Sequence, residues 1–286
     1  MNAPPMPPRR RRRISWSAVV SLAVTAFAIL TVGIPLWAVV VNSFKGVAEA
    51  SDMGLGLPTE WHLLENYSTV IIEGRLFNGL RNTLLVVVPS TIAIVFLSAA
   101  ASWVLGRSRR GSTKVLYYVA ISGILIPTAI VTTIQVLRWM GLHQTHLGLV
   151  LFYVGTSVSV GIFLGTGFVK TIPIELEEAA RIDGAGPLTV FRRIILPLLT
   201  PILATLTFLM IMFLWNDVFS QFFLLSRPND QTLMLGLFSF VSRHYRQTEW
   251  QLVFADVVLV SLPLVIFFVL AQRWVVSGIM GVGRDK

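Results

Sequence analysis

The sequence predicts an all-α protein held in a membrane by six spanning helices, and three observations predict it. First, 55% of the 286 residues are hydrophobic, only 13% are charged and the mean hydropathy is +0.75, far from the mixture of a soluble domain. Second, six runs are long enough to cross about 30 Å of hydrocarbon, which takes roughly 20 apolar residues in a helix. Third, none of these runs alternates strictly between apolar and polar residues, which argues against the strands of a membrane barrel.

The runs fall in order along the chain. Ile14 to Val41, Asn82 to Gly106, Val115 to Leu137 and Leu147 to Val169 contain no Lys, Arg, Asp or Glu, while Pro201 to Leu225 and Gln251 to Gln272 each carry one carboxylate. The N-terminal PPMPPRRRRR followed by an apolar run imitates a secretory signal, with Ala48-Glu49-Ala50 as a mock cleavage site. The apolar core of such a signal is about 7 to 15 residues; a run of nearly twice that length fits an anchored helix.

Basic residues near span ends fix the orientation, because Lys and Arg are retained on the cytoplasmic side. With both termini cytoplasmic, that side holds Arg9 to Arg13, then Arg107, Arg109, Arg110 and Lys114, then Lys170, Arg181, Arg192 and Arg193, and last Arg273, Arg284 and Lys286. These are sixteen of the 23 cations. The other seven lie outside with an equal number of carboxylates, so the net charge of +9 reports membrane sidedness rather than nucleic-acid binding. The five leading arginines read as a topology anchor that also attracts anionic headgroups.

Between the fourth and fifth runs lies a polar cytoplasmic segment. Pro173 and the glutamates at 175, 177 and 178 suit the start of a helix, where the positive dipole end favours anions. Gly184 and Gly186 stop it, and Pro187 opens a second short helix ending near Pro197. At helical spacing Leu176, Ala179, Ala180 and Asp183 share a side, and Glu178 is left free for a charged partner. Such a bracket suits docking.

Glu178-Ala179-Ala180, three residues, Gly184, nine residues, Ile194, one residue, then Leu196-Pro197 resembles the EAA loop of the permease subunits of binding-protein-dependent ABC importers. The string IPIELEEAARIDGAG from Ile172 to Gly186 is most similar to the carbohydrate-uptake branch, in particular to the shorter permease of maltose-type systems. LPTEWHLLENY (Leu57 to Tyr67), FNGLRNTLLV (Phe77 to Val86), LWNDVF (Leu214 to Phe219) and QRWVVSGIMGVG (Gln272 to Gly283) resemble further landmarks of that family in the same order, so the likeness covers nearly the whole chain.

The resemblance implies a type I importer permease divided into a basic cytoplasmic tail (1–13), a first spanning helix with an external loop (14–76), a permease core (77–274) whose coupling loop is 170–200, and a cytoplasmic tail (275–286). It implies that Glu178, Ala179, Ala180, Asp183, Gly184 and Gly186 dock on a separate ATPase. The expected partners are a second homologous permease, two ATPase subunits that hold ATP and Mg, and an extracytoplasmic solute-binding protein. The expected place is the cytoplasmic membrane of a prokaryote. The cargo it implies is an oligosaccharide or disaccharide, with glycerol-phosphate or a polyol as the alternative. The chain itself is expected to be non-catalytic and to bind no cofactor, metal or nucleic acid. In keeping with this, it contains no GxxxxGK[ST] phosphate cradle and no cysteine.

Other constellations weigh less. Asp217 and Asp256 could form the relay of an ion-coupled carrier or channel, but both lie near span ends, where capping and interhelical hydrogen bonds account for such residues. His143 and His146 are spaced for one helix face, yet no third ligand lies near them in sequence. His62 and His244 fall on external loops without an adjacent acid and nucleophile. Trp103, Trp139, Trp215, Trp250 and Trp274 are expected in the headgroup belt. The polar external loop from Ser226 to Trp250 is expected to touch the binding protein. No substrate-binding residue is legible.

Overall fold

The computed structural model of the chain describes residues 16–225, 227–245 and 248–280. The whole basic N-terminal tail (1–13), Ile14, Ser226, Arg246, Arg284 and Lys286 lie outside them. The described residues are helical, with no strand among them, and five helices are long and apolar enough to cross a membrane.

The first crossing helix is made of α1 (Trp16–Ala28), a π-helical turn (Ile29–Gly33) and α2 (Ile34–Asn42). Pro35 lies in the first turn of α2, where the missing N–H costs little. Short helices α3 (Val47–Ser51) and α4 (Leu63–Glu73) follow. Asn66 ties them to the end of α2 by donating to the carbonyls of Ser43 and Lys45, at 3.0 and 2.9 Å.

The second crossing helix, α5 (Leu76–Arg107), begins six residues before the apolar run and includes Pro89. It packs against α8 (His146–Val169) along a seam of small residues. Ser98 and Ser102 donate across it to the carbonyls of Val158 and Ile162, both at 3.3 Å. A Cβ at Gly161 would lie 2.0 Å from the Ser98 Oγ, and one at Gly165 2.3 Å from the Ser102 Oγ. Where lipid is as apolar as leucine, close backbone approach and interhelical hydrogen bonds hold helices together, and glycine allows both.

The expected third span is not one helix. It is α6 (Gly111–Ser122) and α7 (Ile130–Trp139), joined by a non-helical stretch, 123–129, that is exposed throughout. Pro127 explains the break: it offers no N–H, its ring clashes with the carbonyl four residues back, and it drives Ile126 out of the helical region. At Gly123 a Cβ would meet the Ser159 Oγ at 2.5 Å, so the last turn of α6 lies hard against α8.

After α8 come the two bracket helices, α9 (Glu175–Ile182) and α10 (Pro187–Val190). The second of these does not end near Pro197 as expected. It runs through a π-helical turn (Phe191–Ile195) into α11 (Leu196–Asn216). The wider turn lies just where a regular helix would press the Pro197 ring onto a carbonyl, and Pro197 then falls in the first turn of α11, where proline is tolerated.

The fifth expected span also divides, because the chain leaves α11 at Asp217 before α12 (Phe219–Leu224). The Asp217 Oδ1 accepts the Ser220 N–H at 3.1 Å and its Oδ2 accepts the Tyr153 hydroxyl at 2.9 Å. Gln221 donates to the same Tyr153 oxygen at 3.2 Å and accepts from Thr232. Asp217 thus caps one helix and ties it to α8, in agreement with a structural role.

Helix α13 (Leu233–His244) and the final α14 (Trp250–Met280) complete the chain. The polar loop before α13 is fastened to α5: Asn82 donates to the Asn229 and Gln231 carbonyls at 2.8 and 2.9 Å. The main core gathers side chains of α5, α7, α8 and α11, among them Ile94, Leu149, Tyr153, Leu206 and Leu214.

Candidate coupling site

The bracket sits at the end of the bundle where α5 and α8 terminate. Three glutamates occupy the first turn of α9, as the sequence suggested, although the helix begins at Glu175, two residues after Pro173. Its far end is a Schellman turn. Gly184 takes φ +83°, its N–H bonds the Arg181 carbonyl at 3.0 Å, and the Ala185 N–H reaches back to the Ala180 carbonyl at 2.9 Å. Only glycine enters that left-handed region without strain. Pro187 then starts α10, so the two short helices meet at a fixed corner.

Of the residues expected to dock, Glu178, Ala179, Asp183, Gly184 and Gly186 are exposed, whereas Ala180 turns partly inward against the Val169, Phe191 and Ile195 cluster. Two apolar side chains join the exposed set. Ile182 is 86% and Leu188 68% exposed, on either side of the corner. A surface with alanine, isoleucine and leucine beside two carboxylates suits a protein partner better than water.

The neighbour of Glu178 behaves in the opposite way. Glu177 is only 1% exposed, yet its carboxylate is fully used. The Arg107 Nε donates to Oε1 at 2.6 Å, the Trp103 indole N–H donates to Oε2 at 3.0 Å, and Arg181 lies 3.6 Å from the same oxygen. Arg107 also donates to the Ile172 carbonyl at 2.8 Å. Burying a charge is tolerable only with such pairing, and here the pairing fastens the start of the bracket's first leg to the end of α5. Trp103 stacks on Phe191, centroids 5.5 Å apart, which fastens the second leg.

The sequence reading missed Glu177, Trp103, Arg107, Ile182 and Leu188. Trp215, expected in the headgroup belt, is buried against Leu233 and Val260, and Trp103 is partly buried against Phe191. The signal for Ile182 and Leu188 was present, as two apolar residues flanking a glycine corner in a polar segment.

The remaining candidates do not come together with the bracket. Asp256 is buried in α14 at the opposite end of α5, beside a cleft of 340 Å³ shared with Arg75 and Arg243. Among the described residues its Oδ2 has no hydrogen-bond partner, so the expected capping or interhelical bond is not seen there. The His146 Nε2 faces the Asp230 carbonyl at 3.1 Å. Burial, with the Arg138 guanidinium adding to it, lowers the pKa of His143 below the usual imidazole value. Among the described residues no group of three His, Cys, Asp or Glu forms a metal-ligand set.

Fold and site together define a polytopic, all-helical membrane subunit carrying a rigid helix–turn–helix bracket at one end. The chain belongs to the family of binding-protein-dependent transport system inner membrane components, whose pattern it matches over residues 98–281. It is 36% identical over 247 residues to a probable starch degradation products transport system permease protein of Thermoanaerobacterium thermosulfurigenes, covering 86% of this chain and 89% of that one. It is 29% identical over 249 residues to a melibiose/raffinose/stachyose import permease of Bacillus subtilis, with the same coverage of 86% and 89%. Its fold is similar to that of a chain in the crystal structure of a bacterial ABC transporter for the acidic polysaccharide alginate, with a TM-score of 0.77 and 20% identity over 94% of this chain and 99% of the other.

Proposed function

We propose that the chain is the permease subunit of a prokaryotic ABC importer for an oligosaccharide or disaccharide, and that its bracket docks on a separate ATPase. In this reading the chain crosses the cytoplasmic membrane six times, the pair α6 and α7 making the third crossing, and both termini are cytoplasmic. It pairs with a second permease to form the path, two ATPase subunits bind ATP and Mg below, and a solute-binding protein delivers cargo above. The sugar cargo is supported by the names of the relatives, which transport starch products and melibiose-type sugars.

The observation that carries the proposal is the contrast between neighbours on α9. Glu177 is sealed against α5, while Glu178, Ala179 and Ile182 are left bare on a bracket fastened to α5 through Glu177 and Phe191. Conformational work needs a contact that is both accessible and stiffly connected to the spanning helices, and this arrangement provides both. The chain has no native cysteine, so an Ala179→Cys variant gives a single attachment point. In membranes holding all subunits, it is expected to cross-link to the ATPase subunit and to no extracytoplasmic protein. Cross-linking from the outer face, or sugar uptake by this chain alone without ATP, would refute the proposal.

A further inference from the structure

A second feature at the bracket end is a cleft of 400 Å³ between the end of α5, the start of α6 and the end of α8. Arg109, Arg110, Lys114 and Lys170 line it, and no carboxylate does. None of the four makes an ion pair within the described residues; the contact of Lys170 is with the Tyr117 ring, its Nζ 5.6 Å from the centroid. Four cations held together without a counter-charge repel one another, and an anion in their midst relieves that repulsion.

The cleft also offers directional donors. The twelve-residue α6 opens into it at Gly111, and Arg110, in the capping position, has extended backbone and supplies no side-chain cap. The first N–H groups of a helix have no partner within it, and with the dipole they favour anions. Independently, Thr166 lines the same cleft from α8. It is 1% exposed, and its Oγ1 has no hydrogen-bond partner among the described residues. A buried hydroxyl without a partner is a defect unless something in the cleft supplies one.

We propose that this cleft is a binding site for a phosphate-bearing anion, occupied by the headgroup of an anionic phospholipid. Phosphate matches the donor set: Lys and Arg, helix N–H groups and one hydroxyl. The lipid source is argued from what surrounds the cleft. Val115, Leu116 and Val119 on α6 are exposed apolar residues beside it, and Tyr118, also exposed, lines its rim. They provide an acyl-chain bed next to the headgroup pocket, which a free phosphate would not need. Basic pockets between spanning helices on the cytoplasmic side are places where such lipids bind.

The test uses the assembled transporter, delipidated in detergent and examined by native mass spectrometry with added phosphatidylglycerol, phosphatidylcholine or inorganic phosphate. The wild type is expected to retain phosphatidylglycerol over phosphatidylcholine, and millimolar phosphate is expected not to displace it. Lys114→Gln and Lys170→Gln should each weaken retention about fivefold, and the pair about 25-fold. Thr166→Val should weaken it severalfold with all subunits still associated. Phosphate that displaces the lipid with the same dependence on these residues would keep the anion site and overturn the lipid assignment. Retention unchanged in the double variant, or loss of the ATPase subunit without loss of lipid, would overturn the proposal entirely.

Discussion

Replacing Glu177 by Gln tests the stiffness of the bracket at its most sensitive point. The variant keeps the volume and one acceptor but removes the charge that the Arg107 Nε meets at 2.6 Å and the Trp103 N–H at 3.0 Å. Breaking a buried ion pair by removing one partner costs about 3 to 5 kcal/mol. Here the loss is smaller, because Arg107 is 16% exposed and keeps its bond to the Ile172 carbonyl. A loss of about 2 to 3 kcal/mol is the reasonable figure, in the range of a hydrogen bond to a charged group. That corresponds to roughly a 30- to 150-fold rise in the population of an unseated bracket.

Hydrogen exchange on the assembled complex reads this directly. Amides of 177 to 185 should exchange faster by about that factor, while those of the α5 and α8 seam stay as they were. In proteoliposomes the same variant should move less sugar per ATP hydrolysed, with the ATPase still bound. Exchange in α9 within twofold of wild type would show that Glu177 does not fasten the bracket and that no movement is transmitted through this pair.

Three further outcomes follow from the same physical reading. Gly184→Ala places a Cβ at φ +83° and should cost about 1 to 2 kcal/mol at the corner, read as weaker copurification of the ATPase and reduced ATP-driven uptake. Gly161→Ala drives a Cβ to 2.0 Å from the Ser98 Oγ, and such overpacking costs typically about 1 to 3 kcal/mol; Tm in detergent should fall, and Ser98→Gly in the same chain should restore part of it. Asp217→Ala leaves the Tyr153 hydroxyl without its acceptor and uncaps α12, which should lower Tm by more than Tyr153→Phe does, since the latter removes the hydroxyl whole and leaves the Asp217 cap on Ser220 in place.

The helices were legible wherever the physics is local. Charge-free runs specify spans because lipid requires every backbone group to be satisfied within the segment, and glycine at 184 specifies the corner because of its backbone freedom alone. What depended on distant chain was not legible. Glu177 and Glu178 look alike in sequence, and what separates them is a tryptophan 74 and an arginine 70 residues upstream. The same distance hid the bond from Trp103 to Glu177. The break at 123–129 did have a local signal, Pro127, outweighed by an unbroken apolar composition. Pro197 misled in the other direction, because a single wide helical turn absorbs a ring that would otherwise end the helix.

That interrupted stretch has a consequence for how the subunit can exist. In the proposed topology α6 rises about 18 Å before the chain unwinds, close to the mid-depth of a bilayer. The N–H groups of 124 to 126 still close turns onto the Ile121 and Ser122 carbonyls, but from Pro127 to Ala129 the regular ladder is interrupted on an exposed stretch of the subunit. Hydrocarbon cannot solvate a peptide group left outside the ladder, so the short interruption around Pro127 favours a protein neighbour or water against it. A solitary copy floating in lipid would leave that preference unmet; the subunit is better housed when something polar lies alongside.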